Sequence, residues 1–139
     1  MVDRGRVLAK LDELQGYLKE LRVVMPKDLE GYRHMPIKRA CERLVQLCIE
    51  CTIDIGKKLV IGDRLGIPND EADVFEKLKQ ADILSADMLA VLKKMRGLRN
   101  ILVHEYADID DNQVLEVVKH HLDDFEKFKT AVLAHLNKD

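Results

Sequence analysis

The feature that most limits how this chain can fold is a long stretch of apolar residues at helical spacing. Between Pro36 and Leu65 they recur at steps of three and four residues, at Ile37, Cys41, Leu44, Cys48, Cys51 and Ile55. That period predicts one long α-helix with a continuous apolar face. Pro36 suits the first helical turn, and Gly66 and Pro68 end the helix. We expect this segment to be the central core helix of a bundle.

The same period predicts the other helices. The three other long helices run from about Asp3 to Val24, from after Ser85 to about Val103, and from Asp110 or Asp111 to about Leu136. A shorter helix starts at Asn69 or Asp70. The polar stretch from Lys27 to Met35 is expected to be a loop or a single turn. The predicted fold is all-α: an up-and-down four-helix bundle with one extra short helix, in a single domain over residues 1–139.

Composition narrows the class of protein. A hydrophobic content of 47% with 35% charged residues and few Gly or Pro is typical of a soluble helical bundle. The sequence has no apolar run of about 18 residues and no basic-then-apolar leader, so we expect no membrane span, no secretory signal and a cytoplasmic location. A net charge of −2 argues against coating nucleic acid through bulk charge, and any RNA contact must be local.

One arginine occupies a position where an apolar residue is expected. Arg99 projects from the middle of an apolar stripe that consists of Met88, Leu92, Met95 and Leu102. A guanidinium stays charged at any relevant pH, and burying it unpaired is costly. Arg99 must therefore meet an anion or line a wet cleft. One interpretation is a core arginine that pairs with a carboxylate from a neighbouring helix.

Two carboxylates on the central helix are candidates for that partner. Glu50 and Asp54 are four residues apart and share one helical face. A metal site is the other interpretation of such spacing, but di-iron bundles use a Glu-x-x-His step, and this helix has none. We expect Glu50 and Asp54 to have a structural role, or to support the residues of the functional site without contacting the substrate. We predict no metal and no cofactor.

The three cysteines lie on or near the apolar face of the same helix. Cys48 and Cys51 form a C-x-x-C spacing, which metal and redox sites also use. A zinc site would need a second ligand pair, and a thiol–disulfide site normally opens a helix after a strand. Neither context is present, so we predict buried, reduced thiols that behave as small apolar residues.

Arg99 is followed by Asn100, His104 and Tyr106, close to the predicted end of its helix. The pattern Arg99-Asn100-x-x-x-His104-x-Tyr106 resembles the R-x4-H-x-Y signature of the HEPN superfamily, and specifically the HepT-like toxins of prokaryotic toxin–antitoxin pairs. The second helix of that family is similar to the segment that carries Arg43, Glu50 and Ile53-Asp54-Ile55. The resemblance therefore covers nearly the whole chain.

The motif predicts RNA cleavage without a metal ion. On a continuing helix Arg99 and His104 would point about 140° apart. They converge only if the helix ends near Val103, or if each faces the equivalent pair of a second subunit in a two-fold homodimer. An imidazole there can exchange protons with a ribose 2′-hydroxyl or the leaving oxygen, and Arg99 can hold the scissile phosphate. Arg99 and His104 are the predicted catalytic residues, with Asn100 and Tyr106 in support.

The resemblance also implies a partner. HepT-like toxins pair with a small nucleotidyltransferase antitoxin, MntA, which adds AMP to the tyrosine of the motif, and Tyr106 is the matching residue here. A bulky anionic group two residues from His104 would crowd the cleft and repel RNA phosphate. The resemblance thus predicts inactivation by a cognate MntA-like antitoxin, with an exposed Tyr106 hydroxyl at the mouth of the cleft.

Other interpretations of the same residues remain open. Lys93, Arg96 and Asn100 share another face of the motif helix, which suits either the backbone of a single RNA strand or an ordinary solvated surface. The chain as a whole could instead be a non-catalytic HEPN-type module that binds RNA or protein. A third hypothesis is a structural bundle whose polar motif fixes the packing.

Overall fold

The computed structural model describes residues 1–104 and 108–138. Within them the chain forms seven α-helices: α1 (Arg4–Val24), α2 (Leu29–Tyr32), α3 (Met35–Gly62), α4 (Glu71–Gln80), α5 (Ala86–Val103), α6 (Asp111–His120) and α7 (Leu122–Leu136). The prediction of an all-α bundle is confirmed. None of the helices in this part of the chain is long and apolar enough to cross a membrane.

The long helix α3 lies at the centre of the bundle and contacts each of the other six helices. Its inward face is completely buried at positions that include Cys41, Val45, Cys48, Ile55 and Leu59. The helix ends three residues earlier than predicted. Arg64 adopts a left-handed backbone conformation with φ of 55°, which stops the helix before Gly66 is reached.

The cysteines of α3 are free and buried, as predicted. Burial raises the pKa of the thiols of Cys41 and Cys51 to about 11. At neutral pH both side chains are therefore thiols rather than thiolates, and they contribute to the core as small apolar groups.

The last predicted helix is divided in two, so the prediction of one helix from Asp110 or Asp111 to Leu136 is wrong. The break is at His121, whose φ and ψ of −124° and 11° leave the helical region. On the far side of the break, Nδ1 of His121 lies 3.0 Å from Oδ2 of Asp124. The break lets α6 pack against α2 and α3, while α7 packs against α1, α3 and α5.

The position of α4 depends on a close approach to α3. A Cβ atom at Gly56 would lie 2.9 Å from Cγ1 of Val74, so only glycine allows this distance between the two helices without a shift. Asp70 caps α4 by accepting a hydrogen bond from the backbone N–H of Asp73 at 2.8 Å. The first turn of α4, which carries Glu71, is thereby held beside α3 and α5.

Candidate functional site

Arg99 lies on α5 with 14% of its side chain exposed, and it meets an anion as its place on the apolar stripe requires. Its Nη2 donates a hydrogen bond to Oε1 of Glu71, and its Nε donates to Oδ1 of Asn100 at 3.0 Å. The two bonds occupy Nε and Nη2 of the guanidinium. Among the described residues, none accepts a hydrogen bond from Nη1.

The partner of Arg99 is therefore Glu71 on α4, and it is neither of the two candidates on α3, Glu50 and Asp54. Oε1 of Glu50 accepts a hydrogen bond from Gln46 on its own helix at 2.7 Å. Oδ2 of Asp54 lies 3.8 Å from Nζ of Lys10 on α1. These contacts are made within α3 and to α1 instead of to Arg99, because α3 presents this face to α1.

Glu71 meets two further cations besides Arg99. Its Oε1 lies 3.4 Å from Nε of Arg96, and its Oε2 lies 3.7 Å from Nζ of Lys57 on α3. Sequence reasoning missed both Glu71 and Lys57. The only signal at Glu71 is an acidic residue in the first turn of a helix, and the helix dipole alone accounts for such a residue.

The second polar face of α5, which carries Lys93, Arg96 and Asn100, has its two cations partly neutralised by carboxylates of α4. Lys93 pairs with Glu76, and Arg96 pairs with Glu71. Asn100 is exposed and holds the guanidinium of Arg99. Both cations therefore connect α5 to α4, and contact of this face with RNA stays a prediction.

His104 follows directly after the last residue of α5. The helix ends at Val103, and His104 caps it with an extended ψ of 118° while its backbone N–H donates to the carbonyl of Ile101 at 3.2 Å. The end of α5 at Val103 is one of the two arrangements that were expected to let Arg99 and His104 converge. The side chain of His104 is exposed. Tyr106 lies outside the described residues.

A groove of about 470 Å³ runs between α5 and α6, beside the motif helix. Its apolar floor is formed by Val91, Met95, Leu98 and Val117. Lys94, Glu116 and His121 are among the polar residues on its rim. Separately, no three His, Cys, Asp or Glu side chains of residues 1–104 and 108–138 are grouped so that they could hold a metal ion.

The fold and the motif define a HEPN-type ribonuclease. A solved structure of the tri-AMPylated HEPN toxin of Shewanella oneidensis, in complex with MNT antitoxin, matches this chain with a TM-score of 0.87 and 31% identity. The match covers 96% of this chain and 99% of that one.

The sequence comparisons then identify the family. The mRNA nuclease HepT of Shewanella oneidensis is 41% identical over 128 residues, which are 92% of this chain and 96% of that protein. The tRNA nuclease HepT of Aphanizomenon flos-aquae is 32% identical over 128 residues, 91% of this chain and 87% of that protein. The family described as "Ribonuclease HepT-like" matches residues 14–132. The chain belongs to this family of HepT-like ribonucleases.

Proposed function

We propose that the protein is the toxin of a toxin–antitoxin pair and cuts RNA without a metal ion, using Arg99 and His104. The observation that carries this proposal is the geometry at the end of α5. There a guanidinium is held between Glu71 and Asn100, five residues before an exposed imidazole. A fixed cation and a proton-transfer group are the two components that cleavage beside a ribose 2′-hydroxyl requires.

The reaction can be assigned to these groups. One imidazole takes the proton from the 2′-hydroxyl, and O2′ attacks phosphorus. The bond from phosphorus to O5′ breaks as the protonated imidazole of the second His104 in the proposed dimer gives O5′ a proton. The products are a 2′,3′-cyclic phosphate and a 5′-hydroxyl. Nη1 of Arg99, which has no acceptor among the described residues, is suited to donate to a phosphate oxygen, where negative charge develops.

Cleavage in the presence of a chelator tests this function. We expect the purified, unmodified protein to cut single-stranded RNA in EDTA, with a terminal 2′,3′-cyclic phosphate on the products, because no step uses a metal ion. The products can be identified by mass spectrometry. Activity that disappears with EDTA would contradict the chemistry, and RNA that is bound without being cut would favour a non-catalytic binding module.

The proposed active form is a two-fold homodimer, with the Arg99–Tyr106 segment at or beside the interface. Two features of the chain support it. The groove between α5 and α6 presents an apolar floor to solvent, and Val103, next to the catalytic histidine, has 52% of its surface exposed. A second subunit would cover apolar surface and bring two Arg99–His104 pairs into one cleft.

Sedimentation checks this assembly. At micromolar concentration we expect the protein to sediment as a dimer, because burial of the apolar groove favours association. Val91→Lys would place a charge in the floor of the groove at a position that is only partly buried, and it should shift the species toward the monomer. A wild-type protein that sediments as a monomer at the same concentration would contradict the dimeric form.

Control by a nucleotidyltransferase is the last part of the proposal. The Shewanella oneidensis HEPN toxin that matches this fold is AMPylated and in complex with MNT antitoxin. Tyr106 has the position in this chain that matches the tyrosine of the R-x4-H-x-Y signature. We propose that a cognate MntA-like partner adds AMP to Tyr106, which puts negative charge next to His104 and excludes RNA.

A further inference from the structure

We infer that Glu71 is a positioning residue, which holds the guanidinium of Arg99 in the orientation that accepts the scissile phosphate. The inference rests on the proposed function, in which Arg99 contacts that phosphate. It adds a residue outside the R-x4-H-x-Y motif, on a different helix from Arg99 and His104.

The bonds to Arg99 explain why its orientation depends on Glu71. A free arginine side chain has several rotatable bonds, and bringing it to one geometry costs conformational entropy. Here Nη2 is held by Glu71 from α4, and Nε is held by Asn100 from the next position on α5. Since these two acceptors occupy Nε and Nη2, Nη1 is left without an acceptor among the described residues. Nη1 can therefore donate to a phosphate oxygen while Arg99 stays paired with Glu71.

The charges around Glu71 are consistent with a role in positioning Arg99. The single carboxylate of Glu71 is surrounded by three cations, Arg99, Arg96 and Lys57. The cluster therefore remains positive, and it attracts a phosphate even while Arg99 is paired with Glu71. A carboxylate that instead competed with phosphate for Arg99 would weaken RNA binding, and its removal would strengthen it. The two roles predict opposite kinetic effects.

Steady-state cleavage of RNA by Glu71 variants tests the inference. We expect Glu71→Ala to lower kcat at least about tenfold, because misplaced catalytic groups lose rate steeply, while KM changes less than about twofold. Glu71→Gln should recover most of the loss, since its amide oxygen can accept the same hydrogen bond. Glu76→Ala is the matched control, because Glu76 joins the same two helices through Lys93, and the kcat of this variant should equal that of the wild type.

A second substitution separates positioning from a general effect on the fold. In an Arg99→Ala background, removing Glu71 should cause no further loss of the residual activity, because Glu71 acts through Arg99. If removing Glu71 lowered RNA cleavage by the same factor with and without Arg99, Glu71 would have a structural role and the inference would be overturned. If Glu71→Ala does not fold, Glu71→Asp takes its place, since it keeps the charge but is one methylene too short, and a full kcat would overturn the inference.

The outcomes also separate this inference from the proposed function. An inactive Arg99→Ala variant together with a fully active Glu71→Ala variant overturns the role of Glu71 alone. A KM that falls by more than about twofold, or a higher kcat, in Glu71→Ala makes Glu71 a competitor of phosphate, and likewise overturns the inference. A fully active Arg99→Ala variant, or a wild type that cuts no RNA, overturns the proposed function itself and this inference with it.

Discussion

Arg99→Ala and His104→Ala are each expected to reduce RNA cleavage at least about 10²-fold, the usual contribution of a charge-stabilising or proton-transfer group. The fold should survive both changes. After the loss of Arg99, Glu71 still has Arg96 and Lys57 as partners, so no buried charge is left unpaired. His104 lies exposed after the end of α5. Cleavage of a defined RNA and the circular dichroism of each variant are the measurements.

Arg22→Ala is the control for the arginine variant. Arg22 is also a helical arginine that pairs with a carboxylate of another helix, since its Nη1 lies 3.3 Å from Oε1 of Glu126 on α7. It lies on α1, apart from the motif, and its loss should leave cleavage within about twofold of the wild type. If the Arg99 and Arg22 variants lost activity equally, a specific role for Arg99 would be excluded.

Tyr106→Phe is expected to escape inactivation by the partner and to make the protein more toxic than the wild type in cells that express both. The change removes one oxygen, so cleavage by the unmodified variant should stay close to that of the wild type unless the hydroxyl takes part in the chemistry. The wild type that is co-expressed with the partner should carry mass additions in whole AMP units and lose cleavage. Intact mass and growth of the host are the measurements.

Tyr17→Phe, on α1, is the matched control and should be modified and inactivated like the wild type. Because it removes the same oxygen from another tyrosine, it reports any effect of the substitution itself. AMP units on Tyr106→Phe would assign the modification to another residue. In that case Tyr106 would be a packing side chain, and the proposed control by AMP would fail at this position.

The sequence by itself determined where most of the helices begin and which residues form the motif. The three- and four-residue period, with Asp or Ser before each of α1, α4, α5 and α6, placed their starts within about two residues. The same reasoning made Arg99 a charge in need of an anion, because burial and charge conflict whatever the surrounding fold is. The order of Arg99, His104 and Tyr106 was sufficient to indicate the family.

Tertiary structure alone decided which anion Arg99 meets. Glu50 and Asp54 on the central helix were plausible partners, but Asp54 lies beside Lys10 on α1, and Glu50 bonds to Gln46 on the preceding turn of α3. Glu71 is reached instead, because Gly56 lets α4 pack closely against α3. Pairing between helices depends on their packing distance and rotation, and a helical period within one segment carries no information about either.

The break at His121 was also decided only in the folded bundle. The apolar positions Val114, Val118, Leu122 and Phe125 continue at three- and four-residue steps through it, and neither proline nor glycine is nearby. Apolar positions that keep the same helical spacing throughout a segment predict one continuous helix. The helix is interrupted at His121, and with this interruption α6 packs on α2 and α3 while α7 packs on α1, α3 and α5, so the apolar faces of both helices are buried.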